Sequence, residues 1–196
     1  IITEGVPPLD MVKLLRKAET TETLIVGPNC AGIIIPEKLL LGTHPTQFYT
    51  PGPIGIISRS NTLTYEVAWE LTRSRLGQSI CVSLGCDPIV GSSFLQWLQI
   101  LDEDDQTELI VLVGEVGGVA EELAASYISE TIDKPVIAYI AGTCAPINQN
   151  YSPANCLIST KVVREIESER TGAFEGANIP VAKRPSDIPS LVRNLL

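Results

Sequence analysis

Three loops of this chain concentrate residues able to handle a charged group. Ser58-Arg59-Ser60-Asn61-Thr62 follows a β-branched apolar run and leads into a segment of helical period. That placement gathers hydroxyls and free backbone N–H groups at the positive end of a helix dipole, which suits an anion. Ser58, Ser60, Asn61 and Thr62 are the phosphate-binding candidates, and ordinary capping by Ser60 or Asn61 is the competing reading. Gly85-Cys86-Asp87-Pro88-Ile89-Val90-Gly91-Ser92 and Gly114-Glu115-Val116-Gly117-Gly118 also stand at predicted strand ends. Glu115, flanked by glycines that let a ligand or a partner backbone approach, is a candidate to orient a base or accept a proton; a solvated loop carboxylate is the alternative. Neither loop carries a Walker or dinucleotide glycine fingerprint.

Other chemistries are closed off by composition. The single histidine, His44, rules out metal sites built on several imidazoles, and no metal site is expected. The five cysteines (Cys30, Cys81, Cys86, Cys144 and Cys156) are odd in number, scattered among apolar segments and without a CxxC pair. They read as small buried hydrophobes in a reducing compartment. Acidic residues outnumber basic ones 23 to 14, a net charge of -9 with no basic stripe, so nucleic acid and anionic membrane surfaces are not expected partners. No apolar run approaches the roughly 20 residues of a membrane span, and no secretory signal is recognisable, so a cytoplasmic location is expected.

The loops need a scaffold, and the 196 residues, 44% of them hydrophobic, suffice for one compact domain. Strands are predicted at Ile54 to Ser58, Ser79 to Leu84, Glu108 to Val113, Pro135 to Ile140 and Ile179 to Ala182. Helices are predicted at Thr62 to Leu76, closed by Gly77; at Ser92 to Leu101, burying Phe94, Leu95, Leu98 and Leu101; at Val119 to about Glu130, carrying Leu123, Tyr127 and Ile128; at Lys161 to about Glu169; and at Ser186 to Leu196 with Ser186 as N-cap. Strands that alternate with helices, the central ones apolar on both faces, predict a flavodoxin-like doubly wound parallel sheet of about five strands, with ligands at the carboxyl ends. Residues 1 to 50 break the rhythm. A helix from Pro7 or Pro8 to about Ala18 and a strand at Leu24 to Val26 precede the stretch Gly27 to Pro53, which has no clear periodicity, so the chain reads as a fragment of a larger fold.

Taken together, Gly27-Pro28-Asn29-Cys30, Ser58-Arg59-Ser60 with Thr62-Leu63-Thr64-Tyr65-Glu66, Asp87-Pro88 with Gly91-Ser92, Gly114-Glu115-Val116-Gly117-Gly118 before Glu121-Glu122, and Ala141-Gly142 with Ala145-Pro146 resemble the α subunit of succinyl-CoA synthetase. The resemblance covers nearly the whole chain. ATP-citrate lyase and other NDP-forming acyl-CoA synthetases share the module. It implies that residues 1–30 are the tail of a CoA-binding Rossmann-type domain, 31–53 a connector and 54–196 the ligase domain. It implies coenzyme A and ATP or GTP as cofactors, bound mainly by regions outside this chain, and an ATP-grasp subunit or domain and an upstream CoA-binding domain as partners. Reaction in that family runs from nucleotide to a phosphohistidine, then to an acyl phosphate, which CoA attacks. By that likeness Ser58 and Ser60 would cradle the phosphoryl group, Glu115 would orient the histidine, and Asn29 and Cys30 would lie near the CoA thiol.

Departures from the pattern fall at the chemistry. The family's Gly-His-Ala-Gly stretch corresponds here to Ser152-Pro153-Ala154-Asn155, with Pro153 at the histidine position. Cys86 replaces the second glycine of Gly-Gly-Asp-Pro, where a cysteine would be costly if φ were positive, and Asn61 replaces the glycine of Ser-Gly-Thr. The expectation is an impaired acid–CoA ligase domain, a pseudoenzyme with respect to phosphohistidine chemistry. The alternative is a non-catalytic interaction or regulatory module that pairs with an ATP-grasp or CoA-binding partner.

Overall fold

The computed structural model describes residues 1–114, 120–141 and 172–196. In chain order the elements are α1 (Pro8–Thr20), β1 (Gly32–Ile35), β2 (Leu39–Gly42), a 3-10 turn (Thr46–Phe48), β3 (Pro51–Ser58), α2 (Asn61–Arg73), β4 (Gln78–Ser83), α3 (Phe94–Glu103), β5 (Leu109–Gly114), α4 (Ala120–Thr131), β6 (Val136–Ile140), β7 (Val181–Ala182), a 3-10 turn (Pro185–Asp187) and α5 (Ile188–Leu195). One sheet holds the seven strands of the described residues in the order β2-β1-β4-β3-β5-β6-β7. From β4 to β7 every pairing is parallel. These five strands follow the 2-1-3-4-5 order of the flavodoxin-like fold, as the alternation of strands and helices predicts. The predicted helix at Lys161 to Glu169 lies outside the described residues.

Both faces of the central strands are buried, which explains their unbroken apolar runs. Along β5, Ile110 and Leu112 join the core under α3 and α4 with Phe94, Trp97 and Leu98. Leu109, Val111 and Val113 join the core under α2 and α5 with Val67, Leu71 and Ile188. This period-two division of one strand between two layers is what the doubly wound architecture requires.

Several local expectations are corrected. Leu24 to Val26 forms no strand, and the stretch from Gly27 to Pro53 is not featureless. Its β1 and β2 form an antiparallel hairpin that extends the sheet beyond β4, with β1 also antiparallel to β4. Helix α2 stops at Arg73 rather than running to Leu76. Its end is a Schellman turn, with Arg75 at φ 59, Arg75 N–H on the Thr72 carbonyl at 3.0 Å and Leu76 N–H on that of Leu71 at 2.9 Å. Gly77 serves close packing instead, since a Cβ there would stand 2.0 Å from the Pro51 carbonyl oxygen. On α4, Leu123 faces outward at 56% exposure while Ala124, Ala125 and Ile128 are buried. Leu95 is half-buried on α3, and Trp97 takes a core position. The N-cap of α5 is Asp187, without a side-chain cap, rather than Ser186.

Candidate functional site

The parallel strands β3, β4 and β5 bring Ser58, Ser83 and Gly114, from which the three loops start, to the same carboxyl end of the sheet. Ser58 closes β3 with Ser83 of β4 on one side and Val113 of β5 on the other. The ladder continues into the loops: Arg59 N–H donates to the Val113 carbonyl at 3.0 Å, Leu84 N–H to that of Ser58 at 2.7 Å, and Ala141 N–H to that of Gly114 at 3.1 Å.

Four of the sequence candidates share one turn. Ser58 is wholly buried; its hydroxyl donates to the Ser60 carbonyl at 2.9 Å and accepts the Ser60 N–H at 3.0 Å. Ser60 is the N-cap of α2, its hydroxyl oxygen accepting the Leu63 N–H at 3.3 Å, and the Thr64 hydroxyl donates to its carbonyl. These bonds answer two N–H groups at the head of the helix. Those of Asn61 and Thr62 meet no acceptor among the described residues, and they point along the positive end of the dipole. Ser58 and Ser60 therefore shape the turn, and the N–H groups of Asn61 and Thr62 are what it offers an anion.

Asn29 and Cys30 reach the same end. Asn29, at φ 52 and 3% exposed, donates from Nδ2 to Asp87 Oδ1 at 2.9 Å. Its carbonyl oxygen and Oδ1 accept Asn61 Nδ2 at 3.3 and 3.4 Å. Cys30, 2% exposed, donates its thiol to the Ile1 carbonyl at 3.2 Å, and burial pushes that thiol's pKa up, keeping it neutral. Arg59 donates from Nη2 to the Asp87 carbonyl at 2.8 Å and lines a cleft of about 440 Å³ with Leu15, Glu19, Leu84, Ser92 and Phe94.

The second loop also differs from expectation. Positive φ falls on Gly85, at 97, and not on Cys86, so the cysteine carries no such penalty. Gly85 and Gly91 of this loop let the chain's own residues 25–29 lie close against it. Glu115, Ala145-Pro146 and Pro153 lie outside the described residues. Glu121, in the first turn of α4 and 1% exposed, was not singled out by spacing; it is buried next to Gly114, whose added Cβ would meet Glu121 Cγ at 3.1 Å. No group of histidine, cysteine and acidic residues able to hold a metal occurs among the described residues. None of their helices is long and apolar enough to cross a membrane.

His44 is placed elsewhere, buried at 3% exposure beside β1. Its Nε2 lies 3.0 Å from the Gly32 carbonyl oxygen, which can only accept, so Nε2 carries the proton and Nδ1 accepts the Tyr49 hydroxyl at 2.8 Å. Burial lowers the pKa of this ring, and the Gly32 contact opposes that shift more weakly. The histidine is neutral with both nitrogens occupied.

The profile described as CoA-ligase matches residues 57–174, from the end of β3 past α4 and β6. The chain belongs to the CoA-ligase family. It is 41% identical over 195 residues to succinate--CoA ligase (ADP-forming) subunit alpha 2 of Archaeoglobus fulgidus, covering 100% of this chain and 67% of that protein. It is 39% identical over 199 residues to malate--CoA ligase subunit alpha of Methylorubrum extorquens, again covering 100% and 67%. For the succinate--CoA ligase (ADP-forming) subunit alpha of Staphylococcus epidermidis the identity is 38% over 187 residues, and the coverage 95% and 61%. This CoA-ligase chain thus spans 61% to 67% of the length of these relatives. Among solved structures, the ATP citrate lyase of Methanosaeta concilii in complex with (3S)-citryl-CoA superposes with a TM-score of 0.84 at 24% identity, over 100% of this chain and 33% of that one. The dinucleotide forming acetyl-coenzyme A synthetase 1 of Ca. Korarchaeum cryptofilum, with phosphate and ADP, gives 0.72 at 22%, over 100% and 42%. At such identities the likeness shows the shared fold.

Proposed function

We propose that this CoA-ligase chain supports acid–CoA ligation of the succinyl-CoA synthetase type, joining a carboxylate to CoA at the expense of a nucleoside triphosphate, but is impaired because it cannot carry the phosphoryl group itself. The relatives' names supply the reaction class, and an ATP-grasp partner would supply the nucleotide. The observation that carries the impairment is the state of the only histidine. His44 is buried, neutral and bonded at both ring nitrogens, and Pro153 stands where the family's nucleophile would be. Phosphohistidine formation needs an exposed imidazole nitrogen at the strand ends, and this chain offers none.

The remaining machinery fits a positioning role. Asn61 and Thr62 would hold phosphoryl oxygens through backbone N–H groups already oriented by the Ser58 and Ser60 hydroxyls, so no reorganisation is needed when charge arrives. Glu115, next in sequence after Gly114, is the candidate to orient a reacting group. Coenzyme A would supply the attacking thiol when bound. Asn29 and Cys30 fit it only as walls, because their polar atoms are already committed to Asp87, Asn61 and Ile1.

The test is incubation of the chain with an ATP-grasp partner and labelled ATP, followed by acid and base treatment and mass spectrometry of the peptides that contain Pro153 and His44. The expected result is no acid-labile, base-stable label. Label on His44 that chases into acyl-CoA would refute the reading. A Pro153→His variant is expected to gain label; failure to do so in a folded variant would favour a non-catalytic module.

A further inference from the structure

Residues 25–31 cross the carboxyl end of β4 on a seat that has no room for side chains. A Cβ on Gly85 would stand 1.9 Å from the Pro28 carbonyl oxygen, and one on Gly91 would stand 2.3 Å from the Ile25 side chain. Gly91 N–H donates to the Gly27 carbonyl at 2.7 Å, and Cys86 N–H to that of Asn29 at 3.3 Å. The segment pairs with no strand; it is a strap held by scattered polar contacts, among them the Ile1 nitrogen on the Val26 carbonyl at 2.6 Å and Thr43 N–H on that of Ala31 at 2.9 Å, and its side-chain contacts to the loops after β3 and β4 converge on Asn29. Asn29 N–H donates to the Thr3 carbonyl at 3.0 Å, its Nδ2 binds Asp87, and its two oxygens take Asn61 Nδ2. The Asn61 carboxamide cannot turn away freely. Ser83, wholly buried at the end of β4, donates its hydroxyl to Asn61 Oδ1 at 2.9 Å, which aims Nδ2 at Asn29.

We propose that Asn61 is the catch of this strap, and that release of the Asn61–Asn29 contacts, without unfolding of the sheet, controls access to the corner formed by Asn29 and Cys30. The inference goes beyond the ligase reading and does not depend on it. A segment outside the ladder, tied down by scattered hydrogen bonds, opens more often than the parallel core, which is held by continuous strand pairing and buried on both faces. Cys30 reports the opening, since its thiol is covered only while the strap is shut. Cys81, wholly buried in β4, reports unfolding of the sheet.

Asn61→Asp in the full chain removes the donor to Asn29, keeps an acceptor for Ser83, and places a carboxylate in the first turn of α2, where the dipole favours it. The measurement is the rate of iodoacetamide modification at each cysteine under native conditions, resolved by peptide mass spectrometry. Cys30 should react about fivefold to tenfold faster than in the unaltered protein, the effect of losing roughly one net hydrogen bond, while the Cys81 rate stays unchanged. An unchanged Cys30 rate, or equal acceleration at Cys30 and Cys81, overturns the proposal. Should Asn61→Asp fail to fold, Ser83→Ala, which only frees the carboxamide to turn, carries the same expectation and the same refutation.

Discussion

Acidification from about pH 7 to about pH 5.5 should cost this fold stability through His44, by at most about 1.3 kcal/mol, the limit for a ring that takes up no proton while folded and has its ordinary pKa of 6.5 when unfolded. The neutral tautomer fills both contacts, Nε2–H on the Gly32 carbonyl and Nδ1 under the Tyr49 hydroxyl. A proton on Nδ1 would displace the Tyr49 hydrogen and bring a charge into a pocket where the tyrosine is itself buried and pushed towards its neutral form. The folded pKa therefore lies below the unfolded one, so the contribution is complete above 6.5 and is lost as pH falls below it, with a limiting slope of about 1.4 kcal/mol per pH unit. Urea unfolding at several pH values in this range, followed by tryptophan fluorescence, measures the total. Carboxylates contribute to that total as well, so the difference between the unaltered protein and His44→Gln isolates the imidazole. Parallel pH dependences in the two proteins, or a variant that loses more stability on acidification, would refute the reasoning.

Gly85→Ala combines φ 97 with a 1.9 Å approach to Pro28, and should destabilise by more than about 2 kcal/mol in urea melts; a cost under about 0.5 kcal/mol would mean the strap moves aside freely. Lys134 donates from Nζ to the carbonyls of Leu101 and Asp104 at 2.8 and 2.6 Å, closing the end of α3, so Lys134→Met should lower stability by about 1–2 kcal/mol in the same assay. Sulfate titrated to saturation should shift the amide resonances of Asn61 and Thr62 well beyond those of Ser60 and Leu63, whose N–H groups are already bonded; an unresponsive Asn61–Thr62 pair would remove the anion site.

The parallel core was legible because burial on both faces writes uninterrupted β-branched runs, as in Leu109–Gly114. The hairpin was not, because Leu39, Leu40 and Leu41 face solvent on both sides of an edge strand and carry no alternation. Leu24 to Val26 misled for the converse reason: a short apolar triplet suits a strap over glycines as well as a strand. The helix-start serines could be read from their position after β3; Ser60 caps α2, while Ser58 braces the turn before it. What spacing could not reveal was the link from Asn29 to Asn61 and Asp87, residues separated by 32 and 58 positions that meet only once β3 and β4 lie side by side. Exposure of Leu123 was hidden too, because Ala124 and Ala125 allow α4 to lie close to its neighbours on small residues.

The sheet order also dictates a sequence of events in synthesis. β1 pairs only with β2 and with β4, whose residues are 78–83, and the strap rests on Gly85 and Gly91. Beyond the β2 hairpin, residues 25–35 therefore complete their contacts only after residues 78–91 have been made, and β3, in the middle of the sheet, must wait longer still for β5. Non-local pairing of this kind slows folding and leaves the early-made apolar residues unprotected in the interval. The strap and β1 are fastened only once β4 and the loop after it exist, and until then this stretch is where a chaperone would find apolar residues to hold.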